Sequence, residues 1–158
     1  MPREPTDLKG WLKATWIDFS IMIRAEAADV HGVCQCVTCD RKAHWKSGII
    51  QAGHFLAYRY PNSPVRFVER NVHCQCKHDN TDGFASIPHP GAILKRENVQ
   101  IRYMTYMIKR YGLEEVERLQ AMRSAGKCAT GDERIDQLRV MRAEYKQRAV
   151  KAIKEKGL

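Results

Sequence analysis

Leu8, Leu12, Trp16, Phe19 and Ile23 recur every three or four residues behind Thr6-Asp7, side chains suited to capping a helix, and the pattern predicts an amphipathic helix over residues 7–29. A stripe of this kind serves a core or a dimer interface. The helical period then stops. Residues 30–96 hold turn clusters such as Pro61-Asn62-Ser63-Pro64 and two short apolar pieces, Gly48-Ile49-Ile50 and Val65-Arg66-Phe67-Val68. These read as the strands of a hairpin joined over residues 58–64. After Pro88, Pro90 and Gly91 the helical pattern returns at Ile101, Met104 and Ile108 and, past Gly112, at Val116, Leu119 and Met122, which predicts two helices. Thr130-Gly131-Asp132-Glu133 has the form of a capping box, and Ile135, Leu138, Met141, Tyr145 and Ala149 continue one stripe towards the C-terminus. The expected fold class is α+β, with an N-terminal helix in residues 1–30, a compact region in 31–96 and a helical region in 97–158.

Charge changes the picture. The 158 residues suit one globular unit, and 27 Lys and Arg against 18 Asp and Glu leave a net charge of +9 and a pI near 9.4, the balance of a chain that binds a polyanion. From Arg139 onwards seven basic residues face two acidic ones, a helix face able to track phosphates. No apolar run reaches the roughly 20 residues of a membrane span, and the opening Met1-Pro2-Arg3-Glu4-Pro5 is not the start of a signal peptide. The expected location is cytoplasmic, where cysteines stay reduced and a cluster of them points to metal before disulfide.

Five of the six cysteines fall between positions 34 and 76. Cys36-Val37-Thr38-Cys39 has the C-x2-C spacing that lets two thiolates converge on one tetrahedral zinc, and a second ligand-rich run follows in His73-Cys74-Gln75-Cys76-Lys77-His78-Asp79. A structural zinc on Cys36, Cys39 and Cys76 is the expectation. The fourth ligand is open between Asp79, which has the matching spacing, His78, which has the better zinc chemistry, and Cys74, which offers a thiolate. Cys34 can also stand in for Cys36, whereas Cys128 lies apart in the helical part.

Ala52-Gly53-His54 ends the first predicted strand, with Asn71, His73 and Asn80 following in order. An imidazole and two amides around a zinc-stapled turn form a parts list for metal-assisted phosphodiester hydrolysis, in which a neutral imidazole takes a proton from the attacking water. Cys36-x2-Cys39, Ala52-Gly53-His54 and Arg66-Phe67-x2-Glu69-Arg70-Asn71-x-His73-x-Gln75-Cys76-x3-Asn80 together resemble the NinG/Rap family of lambdoid phage recombination endonucleases, of HNH (His-Me finger) type. The likeness runs on faintly through Tyr111-Gly112-Leu113-Glu114-Glu115-Val116 to about residue 122, with both terminal helices outside its specific part.

The resemblance implies a zinc-stapled ββα-metal core and cleavage of branched recombination DNA such as Holliday junctions and D-loops. It implies His54 as general base, Asn71 as the loop residue that holds that imidazole, and Asn80 as a ligand of a catalytic magnesium or manganese ion. His73 takes a second cation ligand's place or a phosphate contact. Arg59, Arg66 and Arg70 stand near the site as candidate phosphate contacts. The sequence departs from the pattern at Asp79, where the last zinc cysteine usually stands, and Gly53 leaves the catalytic ion without an acidic or imidazole ligand directly before the base. Paired cuts on a junction call for a two-fold homodimer, built on the stripe of the first or last helix, and recombination proteins are candidate partners. The alternative reading is a non-catalytic zinc-dependent DNA-binding module.

Overall fold

A computed structural model of the protein describes residues 4–58, 60–82 and 90–158, the side chains of 82 and 90–97 excepted. Helix α1 (Leu8–Ala27) starts where Asp7 accepts the Gly10 N–H at 2.7 Å, satisfying one of the amides the first turn leaves open. A first hairpin follows, β1 (Val33–Gln35) against β2 (Lys42–His44). A second pairs β3 (Ile50–His54) with β4 (Val72–Cys76), in the register Ile50↔Cys76 to His54↔Val72. One helical turn spans His78–Asp82, and three helices complete the chain: α2 (Pro90–Tyr111), α3 (Leu113–Ser124) and α4 (Asp132–Lys156). The fold is thus mixed α and β, with two small antiparallel sheets.

The second strand lies later than the apolar pattern predicts. Residues 65–68 form consecutive turns instead, with Arg66 N–H on Ser63 O, Val68 N–H on Val65 O and Asn71 N–H on Val68 O, and run into a 3-10 turn over Glu69–Asn71. The strand itself is buried at all five positions. A strand covered on both faces shows no alternation, and its Cys, His and Gln look like ligands before they look like a strand. Pro90 opens α2, where its missing N–H costs nothing, while Pro88 lies outside the described residues. Gly112, at φ +87°, breaks α2 from α3 in a conformation that side chains oppose. The expected capping box is not made. α4 begins after Gly131 with no side-chain cap, so Thr130 is not its N-cap.

Both long stripes are used within the chain. Trp11, Leu12, Phe19, Met22 and Ile23 of α1 pack with Leu138, Tyr145 and Ala149 of α4, and this core continues onto Ala52, Phe67 and Val72. The two helices therefore cover each other, and neither stripe is free for the dimer assigned to it on the sequence. The basic side of α4 braces the same pair. Arg142 pairs with Asp18, Arg148 with Glu26 and Glu69, and the Lys156 ammonium donates to the Ala25, Glu26 and Ala28 carbonyls at the end of α1, where a cation suits the helix dipole. Much of the charge expected to track phosphates thus holds α1.

Antiparallel pairing sends opposite residues to the same face, so Ala52, His54, Val72 and Cys74 point towards α1, and Gly53, His73 and Gln75 point the other way. That second face meets α2, whose fully buried Tyr103 belongs to a core with Phe55, Leu56, Met107, Val116 and Leu119. No described helix is long and apolar enough to cross a membrane.

Candidate metal centre and histidine site

The β1–β2 connection carries Cys36 and Cys39, and the end of β4 delivers Cys76 with Asp79 one turn on. One ligand atom from each of the four lies within 4.8 Å of all the others. Cys39 and Cys76 Sγ are 3.7 Å apart, close to the roughly 3.8 Å edge of a tetrahedron with metal–sulfur distances of about 2.3 Å. Burial alone would raise the Cys36 thiol, but the backbone N–H groups of Cys76 and Thr38, with the Thr38 side chain beside them, bring it below the usual value. Burial and the adjacent Cys36 sulfur push Cys39 up to about 12. Three thiols and a carboxylate cannot all ionise here without a cation, and they fit a metal such as zinc. Of the competing fourth ligands, the structure brings in Asp79. His78 holds the outer Asp79 oxygen at 2.9 Å, and Thr38 donates to the inner one at 2.7 Å. Cys74 and Cys34 pack in the apolar cluster beside Ala25 and Trp45, and Cys128 lies near Asn62, which bonds its carbonyl.

His54 ends β3 on the α1 face. Its ring stacks on Trp16 at 4.7 Å and meets the edge of Tyr58 at 5.1 Å. Its Nε2 lies 2.9 Å from the Arg66 carbonyl oxygen. A carbonyl only accepts, so Nε2 carries the proton and Nδ1 is left as a lone pair, with no partner among the described residues. Burial, opposed by the Arg66 carbonyl and aided by the Arg66 charge, lowers the His54 pKa to about 4, so the ring is neutral at pH 7.

Asn71 does not touch that ring. It is 0% exposed; its Oδ1 accepts the Leu56 N–H, and its Nδ2 donates to the Leu56 and Val65 carbonyls. Asn71 thereby ties the chain after His54 to the residue preceding Arg66, whose carbonyl holds the imidazole. Its hold on His54 is indirect.

His73 departs furthest from its expected part. Tyr103 donates its single hydroxyl proton to the Gly53 carbonyl at 2.8 Å and so accepts from His73 Nδ1, while His73 Nε2 accepts from Tyr111. Both nitrogens are occupied and the residue is 9% exposed, which leaves no lone pair for a cation and no donor for a phosphate. Burial again lowers its pKa to about 4.

Arg66, expected on phosphate, is 8% exposed. Its guanidinium donates to the Pro61 and Leu12 carbonyls and lies over Tyr58, tying Tyr58 and Pro61 to α1. The residue serves through its backbone oxygen. Arg59 lies outside the described residues. Arg70 keeps 59% of its side chain exposed beside Glu115, on the wall of a groove of about 1130 Å³ shared with Arg102, Lys109 and Arg110. His54 is not among the groove's walls. Asn80 sits in the turn after β4, its Nδ2 donating to Gln51 Oε1 at 2.8 Å. Sequence reasoning missed Trp16, Tyr58 and Tyr103. Trp16 belongs to an ordinary apolar stripe, Tyr58 lies in a loop, and nothing in the chain order links residue 103 to residue 53.

A family model described as the bacteriophage lambda NinG protein matches residues 6–156. The match takes in both terminal helices, which the motif-borne likeness left outside. No curated protein and no solved structure matches the chain. With nearly its whole length covered by that model, the chain belongs to the bacteriophage lambda NinG protein family.

Proposed function

We propose that the protein is a structure-selective DNA endonuclease of HNH type that hydrolyses phosphodiester bonds in branched recombination intermediates, with His54 as general base. The observation that carries this reading is the wiring of His54: Nε2–H fixed on the Arg66 carbonyl and Nδ1 bare in a neutral ring. An imidazole so held accepts a proton from water at its open nitrogen. Stacking on Trp16 fixes the ring plane, and Asn71 keeps the two loop ends in register beneath it. β3, the 3-10 turn, β4 and the helical turn bearing Asn80 follow one another along the chain, an order that suits this reading.

His54 and Asn80 approach the end of β3 from opposite faces, so the scissile phosphate belongs beyond residue 54, where both faces are within reach. A divalent magnesium or manganese ion bound there would neutralise charge on the phosphate and the leaving oxygen. The Cys36, Cys39, Cys76 and Asp79 cluster takes a structural zinc and locks the two hairpins together. Arg70, Arg102, Lys109 and Arg110 supply the sequence-independent grip on the backbone, which weakens as salt rises.

The test is cleavage of a labelled four-way junction against the matching linear duplex, with magnesium or manganese, for wild type and His54→Ala. Metal-dependent cutting that prefers the junction, and is lost in a variant that still binds it, supports the reading. Binding without cutting in wild type favours the non-catalytic DNA-binding module.

A further inference from the structure

Five residues of α2 line the groove beside β4: Arg102, Thr105, Tyr106, Lys109 and Arg110, spaced so that they share one face of the helix. Three of them are cations and none is acidic. Arg70 joins them, its guanidinium lying over the Tyr111 ring at the end of α2. Arg102 keeps 51% of its side chain exposed, 4.0 Å from Asp79. Lys109 and Arg110 are exposed and have no acidic partner among the described residues.

The rest of the lining has the opposite sign. α1, the β1–β2 connection and the 3-10 turn bring Glu26, Asp40 and Glu69 to the groove, together with the exposed Gln35 of β1. Arg148 pairs with both glutamates, and Asp40 has no cationic partner among the described residues. A duplex carries phosphates along both rims of each of its grooves, so seating one here presses a row of them against carboxylates. A single strand has phosphates on one edge and bases on the other, and base edges offer amino groups that carboxylates and amides accept. The cationic wall also holds a ring for stacking. Tyr106 is half-buried among the cations, and its contact with the His73 ring at 5.1 Å fixes its plane beside the groove. The volume of about 1130 Å³ exceeds the roughly 300–1,000 Å³ of small-molecule sites. Arg102 stands about 10 Å along the α2 axis from Lys109, a span suited to an extended chain of phosphates.

We propose that this groove binds an unpaired DNA strand, with its phosphates along Arg70, Arg102, Lys109 and Arg110 and its bases towards Tyr106, Gln35 and Asp40. This names the part of a branched substrate that the basic groove holds, and it rests on the nuclease reading for its purpose but not for its charge pattern. His54 lies outside the groove, so the held strand and the cut phosphate occupy different parts of the molecule.

The experiment is fluorescence anisotropy of the zinc-loaded full chain, without added magnesium or manganese, on a labelled mixed-sequence strand of about 12 nucleotides and on a blunt duplex of the same length. The strand is expected to bind at least about tenfold more tightly than the duplex at equal salt. Lys109→Glu combined with Arg110→Glu, both on exposed positions, weakens strand binding at least about tenfold with Tm and zinc content unchanged. Tyr106→Leu weakens it about tenfold at an unchanged salt slope, whereas Lys109→Ala lowers the slope by about one. Duplex bound as tightly as the strand, or strand affinity unchanged in the folded double variant, overturns the proposal. A glutamate-rich peptide that displaces the strand at similar affinity also overturns it and gives the groove to an acidic protein partner. The two readings fail separately. Groove-dependent strand binding without junction cutting sinks the nuclease and leaves the groove standing, and junction cutting by a protein that prefers duplex to strand does the reverse.

Discussion

His54 and His73 lie on opposite faces of one hairpin, and burial lowers both to a pKa of about 4, yet they are wired for different work. His73 is closed: Tyr103 and Tyr111 take both ring nitrogens. His54 is half closed, with one nitrogen on a carbonyl and the other unpartnered among the described residues. A depressed pKa therefore does not single out a base in this fold. The proposed base rests instead on the open lone pair, which follows from which neighbours each strand face meets.

The largest effect expected on this comparison comes from removing what aligns both faces. Cys76→Ser, or chelation of zinc, should lower Tm by more than about 10 °C and abolish cutting, as thermal melts with metal analysis will show; an unchanged Tm would mean that the cluster does not staple the hairpins. Next is His54→Ala, expected to lower the cleavage rate about 10²–10⁴-fold with DNA affinity within about twofold, measured by single-turnover cleavage and equilibrium binding. His73→Phe should do the opposite. It takes the acceptor from the Tyr111 hydroxyl while Tyr103 keeps its bond to the Gly53 carbonyl, a loss of about 1–3 kcal/mol where Tyr111 stays buried, visible in denaturant unfolding, while cleavage by the folded fraction stays within about tenfold.

The smallest effect is on acid stability. The native state holds His54 and His73 near 4, below the ordinary 6.5, so between these values the unfolded chain binds more protons and stability rises with pH. The contribution is fully present above about 6.5 and is lost as pH falls towards about 4. Replacing His54 with Asn should flatten the Tm against pH profile across that window. An equally steep profile in the variant would place the acid sensitivity elsewhere, for example in the zinc cluster.

What the sequence made legible divides along the same line. The α1 stripe, Cys36, Cys39, Cys76 and Asp79 as a set, and His54 at a strand end were readable, because short-range spacing governs helix faces, knuckles and strand ends. The second strand was misplaced, because Val72–Cys76 is buried throughout and carries no alternation, while the apolar Val65–Val68 turns on itself. The parts assigned to His73 and Arg66 failed for a different reason. Residue type allows a histidine to bind a cation and an arginine a phosphate, but Tyr103, Tyr111, Pro61 and Leu12 reach them only through tertiary packing. Likewise the stripes of α1 and α4 are each legible alone, and only the fold shows that they face one another rather than a second copy.

The most direct measurement is single-turnover cleavage of one labelled four-way junction by wild type, His54→Ala and His73→Phe side by side, with binding of the same junction measured in parallel. The account predicts that His54→Ala binds and does not cut while His73→Phe binds and cuts. Cutting that survives in His54→Ala and vanishes in a folded His73→Phe would contradict it and move the base to the other face of the hairpin.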